Sequence, residues 1–358
     1  MKSLFMFLPS VNKGGNEKNF FSLANNLSKH KLKINIISCD PNKVNERIKF
    51  KNQLKLINFE KYKLFTKYII CFFLVIIKNR KKDPILSFQG NLVAIFASMI
   101  IGCDVFVRFN SYPDNFLKNN FKIFIFKFFY KRAKKIFVNS KEMKIAVEKN
   151  LGLKCKLIYN EIDIKKIRYL SKKKIKYPFF KNKNLKKFII VGRLDFNKNH
   201  FFLINTICKV KDSIKLNLLI LGSGPERNKL STLVNKCKLN EHIKFLEYKK
   251  NPYPYINKSD YLILSSFFEG YPNVLIEAGI LNKLIISSDC KSGPKEIIQN
   301  NRNGYLFKNN NEKSLIKALY KSINNKKNSK KIKNLENYIL KNHLADQSNN
   351  YLNLIFKK

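Results

Sequence analysis

The feature that most constrains this chain is a repeated alternation of short apolar runs with longer amphipathic stretches. That pattern is how parallel strands joined by crossover helices look in sequence. In the first half, Leu4–Leu8, Ile34–Ser38, Ile85–Phe88, Val105–Arg108, Ile136–Asn139 and Lys156–Ile158 read as strands. Asn19–Lys29, Leu64–Lys78, Leu92–Ile101, Phe116–Lys131 and Lys141–Lys149 read as the helices between them. A basic stretch containing Tyr177-Pro178 has no periodicity and reads as a linker. The alternation then restarts, with strands at Phe188–Val191, Leu216–Leu221, Ile243–Leu246, Tyr261–Leu264 and Leu284–Ser287, and helices at Phe201–Val210, Pro225–Lys236, Asn273–Leu281 and Glu312–Asn324. The fold class expected is α/β, with two Rossmann-like doubly wound domains facing across a cleft. The expected boundaries are 1–172, a linker over 173–187, 188–333, and a final amphipathic segment over 334–358. In such sheets ligands bind outside the carboxyl ends of the strands.

Composition narrows the function classes. Apolar residues make up 45% of the chain and charged residues 27%, too apolar for disorder. The net charge is +47, yet only eight of the 71 basic residues are Arg. Base and phosphate recognition favours the planar fork of Arg, so a nucleic-acid binder is disfavoured. The Lys excess fits AT-rich codon usage, or an anionic membrane face. Residues 151–200 carry a balance of +12, whereas residues 251–300 carry −1. Basic charge has been held off that second block, which marks it for chemistry. Seven scattered cysteines form no CxxC pair and argue against zinc and against a disulfide scaffold, which fits a reducing cytosol. Four histidines show no metal spacing, so no metal is expected. Met1–Leu8 is too short for a signal-peptide core. The longest apolar run, Tyr68–Ile77, is ten residues against the roughly 20 of a membrane span.

Three loops at strand ends carry the candidate residues. Ser265 through Ala278 places Glu269 on a Gly-Pro loop and Glu277 one turn into a helix, whose first N–H groups at Asn273, Val274 and Leu275 make an anion site. Two carboxylates for hydroxyls beside a phosphate pocket suit a sugar on a diphosphate; equally, the pattern fits two Glu that only favour the helix start. Gly192-Arg193-Leu194-Asp195-Phe196-Asn197-Lys198 places two cations across a turn, able to neutralise a leaving diphosphate. Gly14-Gly15 follows the first strand and permits close approach to a phosphate. Gly222-Ser223-Gly224-Pro225 lacks the third glycine of a dinucleotide site and reads as a tight turn.

Taken together, these segments resemble the retaining glycosyltransferases of family 4, which have the GT-B fold. Val138-Asn139-Ser140, Ile158 through Asp163, Ser292 through Ile298 and Asn303-Gly304-Tyr305-Leu306 extend the resemblance along nearly the whole chain. It implies that Arg193 and Lys198 bind the diphosphate of a nucleotide-sugar, that Glu269 binds hydroxyls of the sugar, and that Glu277 binds the ribose. It further implies that Gly15 backs the β-phosphate and that Glu247-Tyr248 lies against the base. The last helix would return to the N-terminal, acceptor-binding domain. Neither metal nor cofactor is implied, the nucleotide-sugar being a substrate. The family's frequent Gly-Gly-Ala-Glu-Arg stands here as Gly14-Gly15-Asn16-Glu17-Lys18, and Arg108 with Asn110 at another strand end is expected to face the acceptor. The expected function is transfer of a hexose or N-acetylhexosamine, from a UDP-sugar, to a glycan or lipid-linked acceptor in bacterial surface polysaccharide biosynthesis. An inactive GT-B scaffold is the alternative.

One segment bears on location. Phe121 through Lys135 combines six aromatics with six cations. Phe121, Ile125, Phe128 and Arg132 line one helical side, and Lys127, Lys131 and Lys134 another. The segment reads either as a core helix or as a headgroup-level helix, placing a cytoplasmic enzyme peripherally at the inner membrane face.

Overall fold

The computed structural model describes residues 2–356, apart from 13, 53, 55–57, 114–116, 118, 178, 180–184, 344 and 345. The chain divides into two compact units, one of Met1–Ile162 with Ala345–Lys358, the other Asp163–Leu344.

Unit 1 holds one parallel sheet: β1 (Ser3–Phe7), β2 (Lys33–Ile37), β3 (Ile85–Ser87), β4 (Val105–Arg108), β5 (Lys135–Val138) and β6 (Cys155–Leu157), in the order β2-β1-β3-β4-β5-β6. Strand alternation sends β1 side chains to two separate cores. Phe5 and Phe7 pack with α3 (Leu64–Lys78), α4 (Asn91–Ile101), α5 (Asn120–Tyr130) and α6 (Lys141–Leu151). Leu4 and Met6 pack with α1 (Gly15–Leu27) and the last helix, α15 (Gln347–Phe356). A short helix, α2 (Pro41–Asn45), was not legible in the apolar pattern.

Unit 2 repeats the plan with α7 (Ile164–Ser171), β7 (Lys186–Val191), α8 (His200–Val210), β8 (Leu216–Leu221), α9 (Arg227–Lys236), β9 (Ile243–Leu246), α10 (Tyr253–Lys258), β10 (Tyr261–Leu264), α11 (Asn273–Ile280), β11 (Leu284–Ser288), α12 (Pro294–Ile297), β12 (Tyr305–Phe307), α13 (Glu312–Asn324) and α14 (Asn328–His343). Its sheet is also parallel, in the order β12-β11-β10-β7-β8-β9. The direction in which successive strands are added reverses between β10 and β7 here, and between β1 and β3 in unit 1. Those are the topological switch points where such sheets hold ligands.

Three expectations need correction. The first boundary falls at Ile162/Asp163, not at 172/173, because α7 packs on α10 and α11. Pro178 and residues 180–184 of the expected linker lie outside the described residues, as does residue 116, where the fourth expected helix was to begin. The C-terminal segment is two helices: α14 packs on α11 in unit 2, and only α15 belongs to unit 1. Cys208 and Cys237, 5.6 Å apart at Cα, form a disulfide that their spacing did not suggest. It exists because α8 and α9 pack side by side on the sheet.

Candidate active site

In unit 2 the two loops flanking the switch point are laced together. The β7 loop runs through Arg193 to a single 3₁₀ turn, Phe196–Lys198, capped by the Asp195 carboxylate, which accepts from the Lys198 N–H at 3.3 Å. Phe267 N–H donates to the Asn197 carbonyl at 2.8 Å, and the Asn197 amide donates to the Phe268 carbonyl at 3.0 Å. Ser265 Oγ donates to the Lys198 carbonyl at 2.8 Å. This lacing presents Lys198 Nζ to Glu269 Oε1 at 2.6 Å, and the same oxygen accepts from Ser266 Oγ at 2.6 Å. The lysine side chain is 23% exposed and the glutamate 11%, a half-sheltered pair with one open side. Arg193, whose side chain is 68% exposed, extends into solvent with Asp195 3.7 Å away. Beneath Lys198, His200 is fully buried, and burial together with the Lys198 charge lowers its pKa to about 3. It is a neutral packing group.

Glycines set how closely the neighbouring loop approaches. A β-carbon on Gly222 would lie 1.8 Å from the Gly192 carbonyl oxygen, and one on Gly224 2.3 Å from that of Leu194. Without side chains there, Leu194 N–H reaches the Ser223 carbonyl at 3.0 Å, and Gly192 N–H the Leu221 carbonyl at 3.1 Å. Ser223 Oγ donates to Glu247 at 2.5 Å and accepts from the Tyr248 N–H at 3.1 Å. Glu247 and Tyr248 thus sit just past β9, held by the turn at Gly222.

α11 opens directly after the Glu269 loop, with no side-chain cap at its start. Asn273 and Leu275 are buried and Val274 half-buried, and the Leu275 N–H turns back to the Pro272 carbonyl at 3.1 Å. Glu277 is buried on the same helix. Ser292 Oγ bonds the Gly270 carbonyl at 2.6 Å, and the loop at Gly293 packs on Pro272 so tightly that a β-carbon would come within 2.6 Å. Those contacts fix where α11 begins.

In unit 1, Gly15 opens α1 and a β-carbon on it would meet nothing within 4 Å, so its outer face is open. The preceding loop is anchored from behind: Val11 N–H donates to Asp40 at 2.6 Å, and buried Lys67 pairs with the other Asp40 oxygen at 2.5 Å. Arg108 departs from its expected role. It is buried, and its fork is occupied by Tyr351 of α15, by Asn160 at 2.7 Å and by Asn110 at 3.1 Å. It holds the returning helix to the sheet and does not face an acceptor. Asn110 remains half-buried and donates to the Phe88 carbonyl at 3.0 Å.

The structure brings Lys198 and Glu269 together and places Arg193, Glu247, Tyr248 and the start of α11 at the strand ends expected of them, while Ser266 and Ser223, whose hydroxyls bond Glu269 and Glu247, were not expected there. Serines follow strands too often to signal such a role. No group of three His, Cys, Asp or Glu able to hold a metal occurs among the described residues. No helix among them is long and apolar enough to cross a membrane.

A family model, glycosyl transferases group 1, matches residues 171–338. The match contains every candidate residue of unit 2 from Arg193 to Glu277. Over 183 residues the chain is 38% identical to an uncharacterized glycosyltransferase of Methanocaldococcus jannaschii, covering 49% of this chain and 45% of that one. Over 226 residues it is 34% identical to an N-acetylgalactosamine-N,N'-diacetylbacillosaminyl-diphospho-undecaprenol 4-alpha-N-acetylgalactosaminyltransferase of Campylobacter jejuni, covering 61% of this chain and 60% of that one. These matches span about half to three-fifths of those relatives. A crystal structure of an Anabaena protein in complex with UDP and glucose shares the fold, with a TM-score of 0.80, 15% identity and 98% of each chain covered. The two Rossmann-like units of this chain are those of the GT-B fold class.

Proposed function

We propose that the chain is a retaining glycosyltransferase that moves a hexose or N-acetylhexosamine from a UDP-sugar to a lipid-linked or glycan acceptor of a bacterial surface polysaccharide. The observation that carries this reading is the Lys198–Glu269 pair at the switch point, with exposed Arg193 beside it. In this reading Arg193 and Lys198 neutralise the departing diphosphate, so no metal is required. Glu269, steadied by Ser266, accepts from sugar hydroxyls, and Glu277 serves the ribose. Glu247-Tyr248 borders the base, and the open face of Gly15 receives phosphate. The bond from the anomeric carbon to the diphosphate breaks, and the acceptor oxygen bonds that carbon on the same face. The acceptor's proton leaves with the diphosphate. The Campylobacter relative's diphospho-undecaprenol substrate supports a lipid-carried acceptor, and exposed Phe121, Phe124 and Phe128 on α5 support peripheral binding at the inner face of an anionic membrane.

The test is donor hydrolysis and transfer across a panel of UDP-, GDP- and ADP-sugars, with and without a chelator. Turnover of a UDP-sugar that persists in chelator is expected. Absence of turnover with every donor, or strict dependence on a divalent cation, refutes the reading.

A further inference from the structure

Unit 1 exposes an unusual amount of apolar surface. Phe65, Ile69, Phe73 and Ile77 follow one another at intervals of four along α3 and are all exposed, Phe65 to 74%. On a helix that interval makes a single stripe. Phe96, Met99 and Ile100 on α4 and Phe121, Phe124 and Phe128 on α5 are exposed as well. Surface of this extent on a folded domain marks a contact with something apolar.

The surface is not flat. Between α3 and α4 it folds into a cavity of about 470 Å³ lined by Phe65, Tyr68, Phe72, Val93, Phe96 and Phe129, among other side chains that are all apolar or aromatic. That volume lies within the roughly 300–1,000 Å³ of small-molecule sites. One end of the cavity adjoins the carboxyl edge of the sheet. Gly90, in the turn after β3, takes a left-handed φ of +68°, and a β-carbon there would lie 3.0 Å from the Tyr68 ring. The same turn is bound to two neighbouring loops at that edge: the Phe88 carbonyl accepts from Asn110 at 3.0 Å and from Asn16 at 3.4 Å. A head group at the sheet edge and a chain in the cavity are therefore joined by one short turn. Charge agrees with an anionic amphiphile. None of α3, α4 and α5 carries an Asp or Glu, while Lys61 and Lys63 stand exposed before α3, and Lys122 and Lys127 on α5.

We infer that this cavity holds the hydrocarbon chain of the lipid carrier to which the acceptor sugar is attached, with the carrier's diphosphate at the carboxyl edge of the first sheet. The inference rests on the lipid-linked acceptor proposed above. The occupant is a single prenyl-type chain, drawn out of the bilayer into an aromatic channel.

The chain contains no Trp, so Phe96→Trp places a lone fluorophore at the cavity rim. Farnesyl diphosphate at monomeric concentrations is expected to shift its emission saturably, whereas inorganic diphosphate is not. Adding Val93→Glu, with the fold checked by circular dichroism, should weaken that response at least tenfold. An unaltered response in the Val93→Glu background, or none to farnesyl diphosphate, overturns the inference. A shift with anionic vesicles that farnesyl diphosphate does not compete away shows a bilayer-insertion face and also overturns it. Concentration-dependent dimerisation that buries the fluorophore assigns the face to a second copy, with the same consequence. Donor hydrolysis by the parent protein separates the two readings: its absence fails the transferase, while its presence without a prenyl response fails the cavity alone.

Discussion

Replacing Lys198 by Met separates the structural from the chemical work of the Lys198–Glu269 pair. The pair is 2.6 Å apart, and the glutamate side chain is 11% exposed, so removing the ammonium leaves a sheltered carboxylate held only by Ser266 Oγ. Breaking a fully buried pair costs about 3–5 kcal/mol. With Lys198 itself 23% exposed, water recovers part of that loss, and about 2 kcal/mol is expected. In a unit of this size that corresponds to a fall in Tm of about 4–8 °C. Turnover should fall about a hundredfold or more through loss of a transition-state contact. The double variant Lys198→Met/Glu269→Gln removes the stranded charge and keeps an oxygen for Ser266. Its Tm should return to within about 2 °C of the parent while turnover stays as low as in either single variant. Calorimetry and donor hydrolysis on the four proteins complete the cycle. Turnover within threefold of the parent in Lys198→Met would refute the diphosphate role. Failure of the second substitution to restore stability would refute the charge-stranding account.

Arg193→Ala should lower turnover about a hundredfold with stability changed by less than about 0.5 kcal/mol, because the side chain is mostly in water; thermal melts and donor hydrolysis read the two. Gly222→Ala forces a β-carbon onto the Gly192 carbonyl and should destabilise unit 2 by about 3 kcal/mol, seen in urea melts, while displacing Arg193 and cutting turnover. Glu161 is raised to about 7 by burial first and by Asp346 second, so the native state binds its proton more tightly than the unfolded chain does. Its contribution to stability is therefore complete below the ordinary glutamate value of 4.5 and is lost as the pH rises through about 7, roughly 3 kcal/mol across that window. Glu161→Gln, which keeps the bond from Asn26, should flatten this slope in melts at pH 5 and pH 8.

Strand positions were legible because both sheets are parallel and buried on both faces, which demands near-continuous apolar runs. Val105–Arg108, Leu216–Leu221, Ile243–Leu246 and Tyr261–Leu264 stand where the runs place them. β12 was missed because Tyr305–Phe307 is too short to register as a run, α7 because it is short and basic, and α10 because its six residues include a proline and no helical period. The loops of unit 2 were equally legible, since strand-end position, glycine and charge are all local properties.

What the residues alone determined is the α/β alternation, its restart, and the placement of Arg193, Lys198 and Glu269 at strand ends. Tertiary structure decided what depends on distant partners. Arg108 was expected at a ligand and is instead clamped by Tyr351, 243 positions away, because a guanidinium enclosed at a sheet edge must fill its donors from whichever helix covers it. The joining of Lys198 to Glu269 across 71 positions, and of Cys208 to Cys237, likewise follows from which strands and helices become neighbours. The apolar stripe of α3 reads in sequence as core; only packing shows that Cys71 and Val75 face inward while Phe65, Ile69, Phe73 and Ile77 face out. A helix that is apolar on every side carries no signal of which side its own domain will cover.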